Sequence, residues 1–272
     1  MPVKVTIEDH TGNQARSARI AENTPISKLL PAMVTALDLP LSDPGGRPIR
    51  YRLVYNEKDL EDNETLAAAG VHDDDTISIV PEMTAGGSRP FTEVDSDAYP
   101  GIVLGPRRAV MPEQGVPQSF ANVPGKNHVA VCIRQAALSR MREHAGSSLC
   151  EVAGLLMGRV YQDGDTFLVL IETSLPGRYL ESSAASLRFT SRTWCDLRRR
   201  RLELVGAITL GWYHSHPGFG IFLSAIDLFS HRSFFSDQPW YVAFVVDPVS
   251  GEMGAFIWEL GTVVRAAEVA IV

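Results

Sequence analysis

The feature that most constrains this chain is the run H-S-H-P-G-F-G-I-F-L-S-A-I-D at residues 214–227. Two histidines two residues apart lie on the same face of an extended segment, because side chains alternate along a strand. Imidazole nitrogens and a carboxylate oxygen are suitable ligands for Zn²⁺, and three protein ligands leave a fourth position for water. The run therefore predicts a strand that carries His214 and His216, followed by a helix that carries Asp227.

Each part of this run also has an ordinary structural explanation. A histidine pair on its own is more often part of a surface or a core than of a metal site. Ser224 and Asp227 also have the spacing of a capping box, with Ser224 as the helix N-cap. The two assignments are compatible, since a cap orients the Asp227 carboxylate and still leaves it able to bind a metal. The metal-site hypothesis therefore depends on supporting residues elsewhere in the chain.

The run lacks a general base, and Glu151 is the best candidate upstream. It begins the segment E-V-A-G-L-L-M-G, in which a carboxylate precedes an apolar stretch typical of a buried strand. A distant glutamate, H-x-H-P and S-x-x-D form the signature of the JAMM (MPN-plus) zinc metallopeptidases, which this chain resembles. The flanking G-W-Y before His214 and Y-V-A-F-V-V-D-P at residues 241–248 agree with that family. The resemblance covers roughly residues 127–265.

The resemblance implies a role for each site residue. His214, His216 and Asp227 would bind one Zn²⁺ per chain, with a water in the fourth position. Glu151 would take a proton from that water and later pass it to the leaving amine. The Ser224 hydroxyl would stabilise the tetrahedral oxyanion, and one such donor is worth about 10²–10³ in rate elsewhere. The implied activity is a zinc-dependent peptidase or isopeptidase that cuts after the Gly-Gly tail of a ubiquitin-like protein.

The N-terminal third has a different pattern. The predicted elements are an alternating strand at residues 3–7, a strand near 15–21, a helix at about 24–37, and strands near 49–55 and 76–80. Thr24 and Pro25 suit the N-cap and first helical position, and Pro31 is expected to kink or restart the helix. The order β-β-α-β-β resembles a ubiquitin-like β-grasp, most similar to the bacterial YukD type.

Gly86, Gly87 and Ser88 follow the last predicted strand of this region. Ubiquitin-like modifiers end in Gly-Gly after a short tail, and the fused domain resembles a family that cleaves after such tails. The sequence therefore makes Gly87–Ser88 a candidate cleavage site. The alternative is that Gly-Gly-Ser only opens a flexible linker. Cutting within one chain and cutting between two chains both remain open.

The sequence predicts an α+β chain of two domains. Residues 1–87 form the ubiquitin-like β-grasp, residues 88–126 a Pro/Gly-rich linker, and residues 127–272 the JAMM/MPN zinc metallopeptidase domain. The last is expected to be a mixed sheet with flanking helices, similar to the cytidine deaminase fold. A short strand at residues 102–104 of the linker would dock on a neighbouring sheet.

Further expectations concern the catalytic half. Its predicted strands are at residues 129–133, 154–161, 166–173, 206–213, 241–246 and 254–259, and its predicted helices at about 134–144, 192–203 and 224–235. Residues 174–186 are expected to be a polar loop where family members carry an insertion that contacts the substrate tail. The arginine run at 198–201 is more typical of a solvated helix face than of a docking site for an acidic partner. His231 is expected on the exposed side of its helix and is left out of the ligand set.

Composition limits the partners and the location. A net charge of −7 argues against nucleic acid as the main partner, and the N-terminus has no apolar stretch of the signal-peptide type. No apolar run approaches the ~20 residues of a membrane span, and three cysteines without C-x-x-C spacing suit a reducing cytoplasm. Partners would be a ubiquitin-like tail or its conjugates, with activating and conjugating enzymes. The alternatives are a sulfur-carrier-processing peptidase and a non-catalytic MPN scaffold.

Overall fold

The computed structural model describes residues 2–42, 48–85, 102–120, 128–184 and 186–272. These residues form two compact units that are discontinuous in sequence. The first unit contains the chain up to Met83, the strand Ile102–Ala109 and the segment Phe189–Arg198. The second contains Thr84 and Ala85 and most of the chain from Met111 onward.

The elements are numbered in chain order. Up to residue 85 they are β1 (Pro2–Glu8), β2 (Gln14–Ala21), α1 (Ile26–Ala36), β3 (Tyr51–Tyr55), β4 (Lys58–Asp59), β5 (Thr76–Pro81) and β6 (Met83–Ala85). From residue 102 to 189 they are β7 (Ile102–Ala109), β8 (Glu113–Gln114), β9 (Val129–Ile133), α2 (Gln135–Gly146), β10 (Ala153–Asp163), β11 (Thr166–Pro176), β12 (Glu181–Ser183) and β13 (Ser186–Phe189). The remaining elements are α3 (Ser191–Leu202), β14 (Ile208–Ser215), α4 (Ala225–Phe234), β15 (Val242–Val246), β16 (Met253–Glu259), β17 (Thr262–Arg265) and β18 (Val269–Ile271).

The first unit is a six-stranded sheet in the order β4-β3-β5-β1-β2-β7. The hairpin β1–β2 is antiparallel, and β5 lies parallel to β1 at the centre of the sheet. Alternating residues of β1 are buried, as the sequence pattern predicts, because one face of the sheet packs on α1. The β-β-α-β-β order of a ubiquitin-like fold is confirmed. The two-residue strand β4 was not predicted, and β7 is longer than the strand predicted at residues 102–104.

Helix α1 begins one residue later than expected. Pro25 is the N-cap instead of Thr24, and no side chain caps the helix. Pro31 lies inside the helix, yet the helix continues to Ala36. Packing of Ile26 and three further buried residues against the sheet stabilises the helix across the missing backbone donor of Pro31.

The second unit is built on a nine-stranded mixed sheet. Eight strands follow the order β17-β16-β15-β14-β10-β11-β9-β18, and β8 pairs with β10. One face packs against the buried stripe of α2, which contributes Ala137, Leu138, Met141 and Ala145 to the core. β14 lies between β10 and β15 in the middle of the sheet. The histidine strand is therefore held by a neighbour on each side.

Three expectations need correction. Residues 174–186 are not all loop, because β12 and β13 form an antiparallel hairpin there. The strand expected at residues 102–104 runs from Ile102 to Ala109. The last two strands, β17 and β18, were not predicted, and β18 pairs in parallel with β9. Short, half-exposed strands such as these have too little apolar pattern to be recognised from sequence.

All three cysteines are free in the structure, with Cys132 buried and Cys150 and Cys195 partly exposed. Among the helices of the described residues, none has the length and apolar character needed to cross a membrane.

Candidate metal centre

Strand β14 places one histidine of the site on the face of the sheet away from α2. Tyr213 points to the α2 side, where its hydroxyl lies 2.8 Å from His144 Nδ1. The alternate residues Trp212 and His214 point to the opposite side, and their rings stack at 4.6 Å between centroids. His216 follows the end of the strand in the same register. The prediction that an extended segment brings the two histidines together is confirmed by the 3.1 Å between their Nε2 atoms.

Helix α4 supplies the carboxylate. Its N-cap is Ser224, whose side chain accepts a hydrogen bond from the Asp227 backbone N–H at 3.1 Å. The Asp227 carboxylate in turn accepts from the Ser224 backbone N–H at 2.7 Å. The capping box that was offered as an alternative to a metal site is therefore present together with the cluster. It fixes the Asp227 side chain over the first turn of the helix.

The three side chains converge on one small region. Asp227 Oδ2 lies 3.5 Å from His214 Nε2 and 3.7 Å from His216 Nε2. Ligand atoms bound at 2.0–2.1 Å to a tetrahedral Zn²⁺ would lie about 3.3 Å apart. The observed separations of 3.1, 3.5 and 3.7 Å bracket that value. The donor set therefore fits a zinc ion, and all three residues are at most 3% exposed.

The hydrogen bonds of His216 support the same arrangement. Its Nδ1 lies 3.2 Å from the backbone carbonyl oxygen of Gly220, an acceptor, so Nδ1 carries the proton. Nε2 of the neutral ring then has a lone pair that faces His214 and Asp227. A carbonyl that fixes the tautomer of a histidine in this way is a common feature around metal ligands.

The electrostatics of the cluster favour an ionised carboxylate. Burial acts to raise the pKa of Asp227, but His214, His216 and Ser224 hold it well below its usual range. Burial acts to lower the pKa of His216, and the hydrogen bond and charge of Asp227 raise it overall. A carboxylate that stays charged between two imidazoles is suited to binding a cation.

Glu151 lies two residues before the start of β10, beside the same cluster. Its backbone N–H donates to the carbonyl of Ser183 at 3.1 Å, and the next residue, Val152, donates to Ser215 Oγ at 3.0 Å. Burial raises the pKa of Glu151 to about 7, with His216 acting against this rise and Asp227 adding to it. Glu151 is only 5% exposed, and the charges of His216 and Asp227 both act on the pKa of its carboxyl group.

Asp247 is a supporting residue that the sequence analysis quoted only within a flanking motif. Its carboxylate accepts hydrogen bonds from the backbone N–H groups of Gly218 and Gly220, at 2.9 and 3.1 Å, and of Val249 at 2.8 Å. These bonds hold the pKa of Asp247 at about 2 against the effect of burial. The loop that begins at His216 is thus tied to the end of β15. The sequence signal for this role was the D-P pair that directly follows the strand.

Thr84 and Ala85, at the end of the predicted ubiquitin-like region, belong to the second unit. β6 pairs with β13, so that Thr84 and Ala85 extend the sheet formed by β12 and β13. Ser230, buried on α4, donates its hydroxyl hydrogen to the Thr84 carbonyl at 2.6 Å. The candidate cleavage residues Gly86, Gly87 and Ser88 lie outside the described residues. The chain directly before them is held by the same hairpin that contacts Glu151.

His231 is not on the exposed side of its helix, contrary to expectation. It is completely buried between aromatic rings, with Trp258 and Phe235 stacked at 5.4 and 6.1 Å between centroids. Its Nδ1 accepts a hydrogen bond from Trp212 Nε1 at 3.3 Å. The sequence spacing predicted an exposed side chain, but the face of α4 that carries His231 packs against Trp212 of β14 and Trp258 of β16. Among the described residues, the one group that could hold a metal is His214, His216 and Asp227.

Comparisons with known families agree with both units. Residues 3–79 match the family described as WXG100 protein secretion system (Wss), protein YukD. Residues 126–239 match the family described as JAB1/Mov34/MPN/PAD-1 ubiquitin protease. The chain therefore contains a YukD-like ubiquitin-like domain followed by a JAB/MPN domain. This confirms the two-domain α+β fold and the family resemblance.

Several curated relatives match this chain over part of its length. The uncharacterized protein F37A4.5 of Caenorhabditis elegans is 35% identical, over 46% of this chain and 39% of its own length. The 26S proteasome non-ATPase regulatory subunit 14 of Dictyostelium discoideum is 34% identical, over 46% and 40%. The COP9 signalosome complex subunit 5 of C. elegans is 37% identical, over 43% and 32%. The chain thus spans less than half the length of these relatives.

Proposed function

We propose that this protein is a zinc-dependent peptidase or isopeptidase that hydrolyses the bond after the Gly-Gly tail of a ubiquitin-like protein, including its own after Gly87. The observation that carries the proposal is the convergence of His214, His216 and Asp227, with Glu151 beside them. The match of residues 126–239 to a family described as a ubiquitin protease supports the reaction class.

The metal and the side chains have separate roles in this proposal. A Zn²⁺ held by His214, His216 and Asp227 would supply a bound water of lowered pKa. Glu151 accepts a proton from the attacking water and delivers it to the leaving amine. Ser224 Oγ is the acceptor in its bond with the Asp227 backbone N–H. Its own hydrogen is therefore available to donate to the developing oxyanion.

The proposed reaction is a simple hydrolysis. The bond between the carbonyl carbon of Gly87 and the nitrogen of Ser88 breaks. The oxygen of water becomes part of the new Gly87 carboxylate, and a proton goes to the Ser88 amine. For a conjugate, the leaving nitrogen would be the amine of a lysine side chain. No oxidant or further reactant is required.

The position of the tail supports a substrate of this kind. An extended peptide gains main-chain hydrogen bonds when it adds to a sheet edge, and this gives affinity with little dependence on side chains. Thr84 and Ala85 lie in such a position next to β13. The carbonyl of Ser183, at the end of β12, accepts from the backbone N–H of Glu151. The β12–β13 hairpin thus contacts both the tail and the proposed base. This favours the Gly-Gly that follows Ala85 as the segment that is cleaved.

The test uses purified full-length protein with added Zn²⁺ and intact-mass spectrometry. Wild type should release a fragment that ends in Gly87, and Glu151→Gln should stay full length, because an amide cannot accept the proton. Gly87→Val should also resist cutting, with Glu151 unchanged. A second substrate, a separate YukD-like protein extended beyond its Gly-Gly, tests cutting between chains.

Two outcomes would contradict the proposal. If Glu151→Gln cut either substrate at the wild-type rate, the assigned base would be wrong. If zinc-loaded wild type cut neither substrate, the chain would be a non-catalytic scaffold of the same fold. Metal content, measured on the same samples, separates a failure to bind zinc from a failure of the reaction.

A further inference from the structure

We infer that the ubiquitin-like fragment produced by cleavage after Gly87 remains bound to the catalytic fragment, held by β7 and by the beginning of α3. This inference rests on the proposed function for the cut itself. Its basis is that the first unit contains two segments that lie downstream of Gly87 in sequence. A cut between Gly87 and Ser88 would separate the peptide chain but would leave these segments packed on the ubiquitin-like sheet.

The first segment is β7, which pairs with β2 in an antiparallel ladder. Ile102 lies opposite Ile20, and Leu104 lies opposite Ala18. Cross-strand partners share a face of the sheet, and both Ile20 and Ala18 are buried. Ile102 and Leu104 are half-buried and therefore extend the apolar face, whereas the intervening Val103 is 64% exposed.

Side-chain hydrogen bonds also join β2 and β7 near the bulge in this ladder. The register shifts near Ser17, where a β-carbon on Gly105 would lie only 2.1 Å from Ser17 Oγ. Glycine permits this approach, and Arg16 Nε then donates to the Gly105 carbonyl at 2.8 Å. Arg107 Nε donates to Gln14 Oε1 at 2.6 Å. Pro106, which lacks an N–H group, is compatible with an edge strand.

The second segment is the start of α3. Trp194 is 2% exposed, its ring stacks on Phe189, and its Nε1 donates to the Pro81 carbonyl at 2.8 Å. Arg198 Nε forms an ion pair with Glu8 Oε2 at 2.9 Å, and Glu8 has only 12% of its side chain exposed. A half-buried pair of this kind is screened less by salt than a surface pair.

These contacts add two attachments between the fragments to the one that Thr84 and Ala85 make with β13 and α4. β7 covers the edge of β2, which a separate ubiquitin-like fragment would expose. The buried Trp194 is hydrogen-bonded to the last residue of β5, Pro81. The catalytic fragment therefore retains its product.

The test makes the cut without the protein's own activity. A recognition sequence for a site-specific protease is inserted between Gly87 and Ser88 of the full-length Glu151→Gln protein. After digestion, a denaturing gel should show two fragments, and size-exclusion chromatography at micromolar concentration should show one species of the intact size. Fragments that separate on the native column would overturn the inference. A wild-type protein that never cuts itself would instead count against the proposed function alone.

Matched variants identify the attachments. Leu104→Asp places a charge on the apolar face and should weaken retention about tenfold or more, measured as the apparent dissociation constant. Val103→Asp makes the same change on the exposed face and should leave retention near the unsubstituted level. Equal weakening by both would contradict the role of the ladder.

The ion pair permits a charge swap. Arg198→Glu should weaken retention because two carboxylates would face each other, and adding Glu8→Arg should restore it. Circular dichroism of each uncut protein checks that the fold is kept. Failure of the swap to restore retention lost in Arg198→Glu would overturn the assignment of α3.

Discussion

Ser224 and Asp227 are joined by two reciprocal hydrogen bonds, and the Asp227 side chain also faces the histidine pair. Asp227 Oδ2 accepts the backbone N–H of Ser224 at 2.7 Å and lies 3.5 Å from His214 Nε2. The same oxygen therefore caps helix α4 and faces His214 and His216. Because the cap sets the direction of the carboxylate, the stability of the helix end and the geometry of the site are coupled.

The first prediction concerns this coupling. Ser224→Ala should lower the free energy of unfolding by about 1 kcal/mol through loss of the N-cap. It should retain the metal and turn over more slowly, because the hydroxyl donor is also lost. Ser224→Thr keeps a hydroxyl and is the control. Denaturant unfolding and peptide-cleavage rates provide the measurements, and a Ser224→Ala protein that matches wild type in both would contradict this assignment.

The second prediction is metal dependence. Wild type should contain about one zinc per chain, and His214→Ala should lose both metal and activity, because two ligands hold the ion less well than three. His72, whose side chain is 82% exposed, provides the control His72→Ala, which should keep both. Elemental analysis measures the metal directly. Active protein that contains no zinc would show the ligand assignment to be wrong.

The outline of both domains could be predicted from sequence because its signals are local. The alternation of Val3, Val5 and Ile7, the H-x-H spacing and the Ser224–Asp227 cap each involve a few neighbouring residues. Their physical causes are strand pleating and helix capping, which short stretches of chain are sufficient to determine. His214, His216, Asp227 and Glu151 were predicted as site residues from the family signature, and the structure brings the two histidines and Asp227 together.

What could not be predicted depends on contacts between residues far apart in sequence. The burial of His231 requires Trp212 and Trp258, and neither is adjacent to it in sequence. The length of β7 depends on the edge of β2 that it covers, since a strand with Gly105 and Pro106 has a weak local preference. Asp247 has a role only because the loop after His216 folds back to it.

The third prediction is a pH dependence of stability from His231. Burial lowers the pKa of His231 to about 3, compared with about 6.5 for an exposed histidine. Below about pH 6.5, His231 is protonated in the unfolded state. In the folded state it stays neutral until the pH falls to about 3. The free energy of unfolding should therefore fall as the pH drops through this window, by up to a few kcal/mol.

The comparison that isolates this effect is His231→Phe, which keeps a ring and removes the titrating group. Its loss of stability between pH 6.5 and 5 should be smaller than that of wild type, as measured by urea unfolding. His72→Gln changes an exposed histidine and should leave the wild-type pH dependence intact. The hypothesis fails if His231→Phe and wild type lose stability in parallel.

The last prediction concerns recognition of the tail. Ser230 donates to the carbonyl of Thr84, three residues before Gly87, and this bond does not depend on the Thr84 side chain. Ser230→Ala should slow cleavage after Gly87 by about two- to tenfold, the equivalent of one hydrogen bond of about 0.5–1.5 kcal/mol. With a separate tail substrate, the loss should fall mainly on KM, because Ser230 contacts the tail and is not part of the metal cluster. Ser233→Ala, a half-buried serine on the same helix, should cleave at the wild-type rate. Single-turnover rates and zinc content are the measurements. A loss of zinc in Ser230→Ala would indicate a disturbed α4. Equal rates for Ser230→Ala and Ser233→Ala would show that Ser230 has no role in tail recognition.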